Sequence, residues 1–107
     1  MRYPKENLVI EPVATALART VKALSSSTLI TLNSETRLVR VYAIAKDVYL
    51  HWATSDEDYA KSSNFDEVII AGQAINLQVP YQTDGAKFSR IQVVGRESGA
   101  TVIVIEK

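Results

Sequence analysis

The stretch RLVRVYAIAKDVYLHW, residues 37–52, decides how the rest of the chain is expected to fold. Its two halves are rich in Val, Tyr, Leu and Ile, which suit the pleated and half-buried surface of a β-sheet. They meet at the polar pair Lys46-Asp47, which indicates a turn. The first half has a uniformly apolar face, and the second has another on Val48, Leu50 and Trp52. We therefore predict a scaffold hairpin from which a sheet is built.

Short apolar runs continue on both sides of this stretch. They are separated by turn signals such as Ser25-Ser26-Ser27 and Asp84-Gly85. Regularly spaced short strands are typical of a β-sandwich or barrel. We predict an all-β fold, a single antiparallel sandwich of jelly-roll-like form with about eight strands. Besides the two halves of residues 37–52, the predicted strands are 19–24, 28–32, 68–71, 74–80, 88–94 and 100–105.

The chain divides into an N-terminal arm, residues 1–17, and a sandwich domain, residues 18–107. Pro4 and Pro12 bias the arm toward extended backbone. The pattern of residues 13–24 fits one face of a helix and also the alternation of a strand, so both remain open there. The arm's triplet Leu8-Val9-Ile10 is unfavourable in water, and we expect it to pack on the domain or on a neighbouring molecule.

The last predicted strand, ATVIVI at residues 100–105, is apolar on both faces. Such a strand lies centrally in a sheet, or its second face meets another subunit. Together with the arm triplet it predicts a candidate partner interface, which consists of Leu8, Val9, Ile10, Ile103 and Ile105.

Composition excludes several classes of function. The 107 residues include 12 basic and 12 acidic side chains, so no net field favours nucleic acid or an anionic membrane. Residues 1–46 hold seven basic and three acidic side chains and residues 47–107 hold five and nine, which indicates charge mixing on one surface or head-to-tail contact between subunits. There is no cysteine, and no signal peptide or membrane-spanning run is apparent. We expect a soluble protein.

His51 is the single histidine, and Asp56-Glu57-Asp58 is the densest acidic run. Without a recognisable partner motif, His51 is expected to be structural or merely exposed, although an enzyme using His51 with the acidic loop remains an alternative. The acidic run lies in a long loop, residues 53–66, where Ca²⁺ binding with Asp66 or Glu67 competes with simple solvation. We expect solvation, and we predict no catalytic residue, no cofactor and no metal ion.

Trp52 and several tyrosines could form stacking platforms for a sugar. Aromatic side chains at alternating strand positions more often belong to a core or an interface. A carbohydrate-binding module that uses Trp52 and surface tyrosines is therefore the alternative to a structural role.

Three segments, TLITLNSETRLVRVYAIAKDVYLHW, FDEVIIAGQAINLQVP and RIQVVGRESGATVIVIEK, give residues 19–107 a recognisable order. It consists of strands ending in Trp52, an acidic loop, an AGQ turn before an alternating strand ending in VP, and Gly-Ala-Thr before an apolar strand. In this order the chain resembles small β-sandwich structural proteins of tailed-bacteriophage virions, of the capsid decoration or cement type.

The resemblance implies a viral structural protein without enzymatic activity, located in the virion and assembled in the host cytoplasm. Its partners would be further copies of itself, such as a trimer, and the major capsid protein or another virion protein. Neither nucleic acid nor membrane is implied as a partner, and the resemblance assigns no role to any single residue. The arm lies outside it.

Overall fold

Eight β-strands in two four-stranded antiparallel sheets make up the computed structural model, which describes residues 16–107. Sheet A has the strand order β1-β8-β3-β6, and sheet B has the order β2-β7-β4-β5. The predicted all-β sandwich is confirmed. The strands are β1 (Ala18–Leu24), β2 (Thr28–Thr31), β3 (Leu38–Ile44), β4 (Val48–Trp52), β5 (Glu67–Ile69), β6 (Ala74–Gln78), β7 (Arg90–Gly95) and β8 (Ala100–Glu106).

The strand pairs are nested along the sequence. The first strand pairs with the last, β2 with β7, β3 with β6, and β4 with β5, all antiparallel. Two further antiparallel pairs, β3 with β8 and β4 with β7, complete the sheets. The terminal strand β8 therefore lies between β1 and β3, which is the central position, the first of the two alternatives predicted for it.

The predicted hairpin across residues 37–52 is wrong, although both of its strands exist. The first of them, β3, pairs with β6 and β8 in sheet A, while β4 pairs with β5 and β7 in sheet B. Each strand buries one apolar face in the core, and the two faces meet there from opposite layers of the sandwich. Residues 45–47 thus connect the two sheets instead of closing a hairpin.

The connection between β3 and β4 depends on one residue in left-handed backbone conformation. Ala45 has φ of 74°, which is unfavourable for a side chain with a Cβ atom. Asp47 then fixes the turn, because its Oδ1 accepts a 2.9 Å hydrogen bond from the backbone N–H of Ala71. Its Oδ2 lies 3.3 Å from the guanidinium of Arg96.

The core lies between the sheets and is formed by alternate residues of nearly every strand. Trp52 belongs to it with 8% of its surface exposed, and its ring centroid is 6.1 Å from that of Phe88. Ile75 and Leu77 on the edge strand β6 are half-buried, as the alternation of residues 74–80 predicts. The fully buried apolar members include Val39, Val41, Val48, Leu50, Ile69, Ile91, Val93, Val102 and Val104.

Residues 16–24, where the sequence fits either a helix or a strand, include the edge strand β1 and no helix. The amide of Leu17 also donates a 2.8 Å hydrogen bond to the carbonyl of Glu106, which extends the pairing with β8 by one step. No helix with the length and hydropathy of a membrane span occurs in residues 16–107.

Candidate functional site

His51 lies between two carboxylates of the long loop, one in its middle and one at its end. Its Nε2 atom is 3.0 Å from Oδ2 of Asp58, and its Nδ1 atom is 2.9 Å from Oδ2 of Asp66. The imidazole is on the outer face of sheet B, opposite Gln92 of β7, and 14% of its side chain is exposed. The structure thus brings together the single histidine and two acidic residues of the loop.

The loop of residues 53–66 is held against sheet B by side chains of neighbouring elements. Gln92, which is buried, donates from Nε2 to the carbonyl of Asp56 at 2.8 Å. Its Oε1 accepts from the hydroxyl of Ser27, and the same hydroxyl oxygen accepts from the amide of Ala60 at 2.9 Å. The carboxylate of Asp56 also pairs with Nε of Arg90 at 2.8 Å. The long loop is therefore a fixed cover over one end of the sheet.

The carboxylate of Asp58 has more hydrogen-bond donors around it than the carboxylate of Asp66. Its Oδ2 accepts from the backbone N–H of Thr54 at 3.0 Å and from the hydroxyl of Thr54 at 3.2 Å. These contacts lower the pKa of Asp58 from its ordinary value, the backbone hydrogen bond of Thr54 most strongly and the contact with His51 less. The carboxylate is consequently held in its charged form.

The contact between His51 and Asp66 is a close approach of a ring nitrogen to a carboxylate, without a well-directed hydrogen bond. Oδ2 of Asp66 accepts a 2.8 Å hydrogen bond from the backbone N–H of Trp52. Nδ1 of His51 is buried without a well-directed hydrogen bond, although Oδ2 of Asp66 is only 2.9 Å away. Asp66 is thus fixed by the backbone, and it presents its negative charge to the side of the ring.

The cluster resembles a catalytic histidine site in its residue types but differs in geometry. A histidine acting as general base needs one ring nitrogen directed at the proton that it removes from substrate or nucleophile. Here both nitrogens face carboxylates. The arrangement holds the middle and the end of the loop against β4.

A cleft of about 560 Å³ opens beside the cluster. His51, Asp58 and Asp66 form its polar wall, and Trp52 and Phe88 contribute apolar surface. Because Trp52 is 8% exposed, it offers the cleft no open ring face on which a sugar could stack. This burial counts against the carbohydrate-binding alternative.

The remaining aromatic residues of the described range, 16–107, do not form a common platform. Tyr49 packs on Phe65 with centroids 4.7 Å apart, and Tyr42 lies 5.1 Å beneath the guanidinium of Arg40. Tyr59 and Tyr81 are exposed and belong to different loops.

The acidic run does not converge on a common point. Asp56 pairs with Arg90, whereas Asp58 faces His51. Within residues 16–107 no group of three or more His, Asp or Glu side chains is arranged to hold a metal ion.

The outer face of sheet A contains two of the predicted interface residues. Ile103 and Ile105 point outward and are half-buried, and Val21 and Tyr42 flank Ile103 on β1 and β3. The outward-facing Val21 is 58% exposed. Leu8, Val9 and Ile10, the other predicted interface residues, lie outside the described residues.

A second apolar depression, of about 860 Å³, lies at the end of sheet A where β1 begins. We call it the end groove. Leu17 and Leu38 are exposed within it and form its apolar surface. Its charged members are Glu35, Arg37, Lys87 and Lys107, and Gln78 completes its lining.

Sequence reasoning missed the contacts of His51 and the end groove. The pairing of Leu50 with Glu67 places His51 beside Asp66, so recognising β4 and β5 as partners across the loop would have predicted that contact. The end groove has no such signal, because Lys87 and Leu38 are far apart in sequence.

Comparison with protein-family models, with curated proteins and with solved structures finds no match to this chain.

Proposed function

We propose that this chain is a non-enzymatic structural protein of a phage virion, which self-associates and decorates or stabilises the capsid. Two features support the proposal: the likeness of residues 19–107 to decoration proteins, and the nested pairing of the strands. A sandwich of eight strands with nested pairs is the layout of a jelly roll, which occurs in viral capsid and lectin domains.

The observation that carries the proposal is a row of apolar side chains on the outer face of sheet A. A cross-strand row runs from Val21 through Ile103 to Tyr42. In an antiparallel sandwich the outward positions of a sheet are normally polar, because they face water. Contiguous outward apolar residues therefore favour a protein–protein contact over an isolated monomer.

The charges on the same face are suited to a contact between unlike surfaces. Arg19 and Arg40 flank Ile105 on neighbouring strands, and the outward strand positions of sheet A include no acidic residue. The loop over sheet B contains four of the nine acidic side chains of residues 47–107. A head-to-tail contact between such surfaces gives a ring where the rotation between neighbouring subunits closes, and we propose a closed ring of three.

Many weak contacts repeated by symmetry would hold such a ring on a shell of major capsid protein. The geometry of His51 supports a non-enzymatic role, since Nε2 is hydrogen-bonded to Asp58 and Nδ1 is buried beside Asp66.

The proposal is tested by placing a charge on the apolar face. Val21→Glu should dissociate the oligomer measured by light scattering, because a carboxylate at this exposed position becomes desolvated in the contact. Ile70→Glu is the matched control, since Ile70 is 49% exposed in the connection between β5 and β6, outside both surfaces of the proposed contact. Circular dichroism establishes that both variants are folded.

The capsid part of the proposal needs its own measurement. The unaltered protein should co-sediment with phage shells that are assembled from major capsid protein without it. If the protein forms an oligomer but does not co-sediment with any such shell, the capsid role is disproved and self-association still stands.

A further inference from the structure

We propose that the end groove receives the arm segment ENLVIE, residues 6–11, of a second copy of the chain. The inference rests on the proposed self-association and deepens it, because it names the segment and the surface that meet. The first support is the chemistry of the groove, in which Leu17 and Leu38 form an apolar floor.

The rim of the end groove is predominantly basic. Arg37, Lys87 and Lys107 outnumber the single acidic member, Glu35. The amino group of Lys87 donates a 3.0 Å hydrogen bond to the carbonyl of Thr36, which fixes that charge at the rim. A ligand for this groove therefore has an apolar centre and negative ends.

The arm segment has this composition. Leu8-Val9-Ile10 supplies the apolar centre, and Glu6 and Glu11 flank it on either side. The segment thus matches the groove in both hydrophobicity and charge.

The course of the chain at its start favours a groove on a neighbouring molecule. The amide of Leu17 donates to the carbonyl of Glu106, so the chain enters the domain as an extension of β1. Leu17 also lines the end groove, and reaching that same groove would require residues 11–16 to reverse direction. This EPVATA segment contains no Gly, Asn or Asp, which tight hairpin turns favour, and Glu11 is biased to extended backbone by Pro12.

The absence of cysteine from the chain allows a direct test by disulfide formation. Val9→Cys and Leu38→Cys are made in separate full-length chains, one of which has an affinity tag, and the chains are mixed and oxidised. Disulfide formation requires the two Cα atoms to approach within about 7 Å. The control pairs Val9→Cys with Ser98→Cys, which lies in the exposed turn between β7 and β8. We expect the yield of mixed disulfide from Val9→Cys and Leu38→Cys to be at least ten times the yield from the control pair.

A second arrangement distinguishes the neighbouring groove from the chain's own. When Val9→Cys and Leu38→Cys are combined in one chain, the inference predicts disulfide-linked multimers. A disulfide confined within single chains would overturn the assignment to a second copy.

Light scattering of the unaltered protein, measured in parallel, separates the two proposals. An oligomer without the 9–38 disulfide overturns the arm-in-groove contact and leaves self-association standing. A monomer without any disulfide overturns both.

Discussion

The hydroxyl of Thr36 donates a 2.6 Å hydrogen bond to Oε1 of Glu106, a residue 70 positions later in the chain. The same carboxylate oxygen accepts a 2.7 Å hydrogen bond from the backbone N–H of Asn33. Glu106 is 2% exposed, and its contacts join the end of β8 to the turn between β2 and β3. A buried carboxylate thus ties the two sheets together at the end where the arm enters.

Glu106→Ala should destabilise the fold by about 2–3 kcal/mol, because it leaves the buried hydroxyl of Thr36 without its acceptor. The free energy of unfolding in urea measures the loss. Glu97→Ala is the control, since Glu97 forms only an exposed ion pair with Lys46 at 3.3 Å. Such a pair is worth about 0–1 kcal/mol, and equal losses in the two variants would contradict the role of Glu106.

His51→Ala should loosen the long loop while the core remains intact. Removing the imidazole leaves Asp58 and Asp66 without their shared partner, which should cost about 1–2 kcal/mol. Hydrogen exchange should accelerate at the amides of residues 54–60 and remain slow in β8. Tyr81→Ala, which alters an exposed side chain, serves as the control, and unchanged exchange in the loop of His51→Ala would refute this role of His51.

The lowered pKa of Asp58 predicts a pH-dependent contribution to stability. A carboxyl group whose pKa is lower in the folded state stabilises the fold above its unfolded pKa, near the ordinary value of 3.8. The contribution is lost as the pH falls below that value and through the folded-state pKa. Asp58→Asn should therefore be less stable than the unaltered chain at neutral pH, and the difference should shrink in strong acid.

Urea unfolding of both proteins, measured at neutral pH and in strong acid, tests the prediction for Asp58. Glu57→Gln is a control in the same loop, because the side chain of Glu57 is exposed. A difference between Asp58→Asn and the unaltered chain that stays constant with pH would contradict the prediction.

Ala45→Gly should stabilise the fold by about 0.5–1 kcal/mol, since glycine accepts the positive φ of 74° without a Cβ clash. The melting temperature is the measurement. Lys46→Gly is the control at the next position of the same turn. It relieves no left-handed conformation, so it should not raise the melting temperature. A lower melting temperature for Ala45→Gly would show that the turn does not strain the backbone.

Much of the fold could be predicted from local pattern. Strand positions follow from alternation and turn residues, so β6 and β8 lie within two residues of their predicted bounds. Which strands pair with each other could not be predicted in the same way. A connection of three residues is compatible both with a hairpin in one sheet and with a crossing between two sheets. Residues 37–52 cross between sheets because β3 and β4 bury their apolar faces in opposite layers.

The candidate sites were less predictable than the fold. Ile103 and Ile105 could be identified because an outward apolar residue on a central strand breaks the expected alternation. The contact of His51 with Asp58 depends on how fourteen loop residues fold back over sheet B, and that path is set by Gln92 and Ser27 from distant elements. No local sequence pattern predicts such a path.

The central claim is that this sandwich functions as an oligomer through the outer face of sheet A. Multi-angle light scattering of the full-length, unaltered chain measures its mass in solution directly. We predict a mass that is a multiple of 11.8 kDa, with three copies expected. A mass of 11.8 kDa that persists at the highest soluble concentration would contradict it.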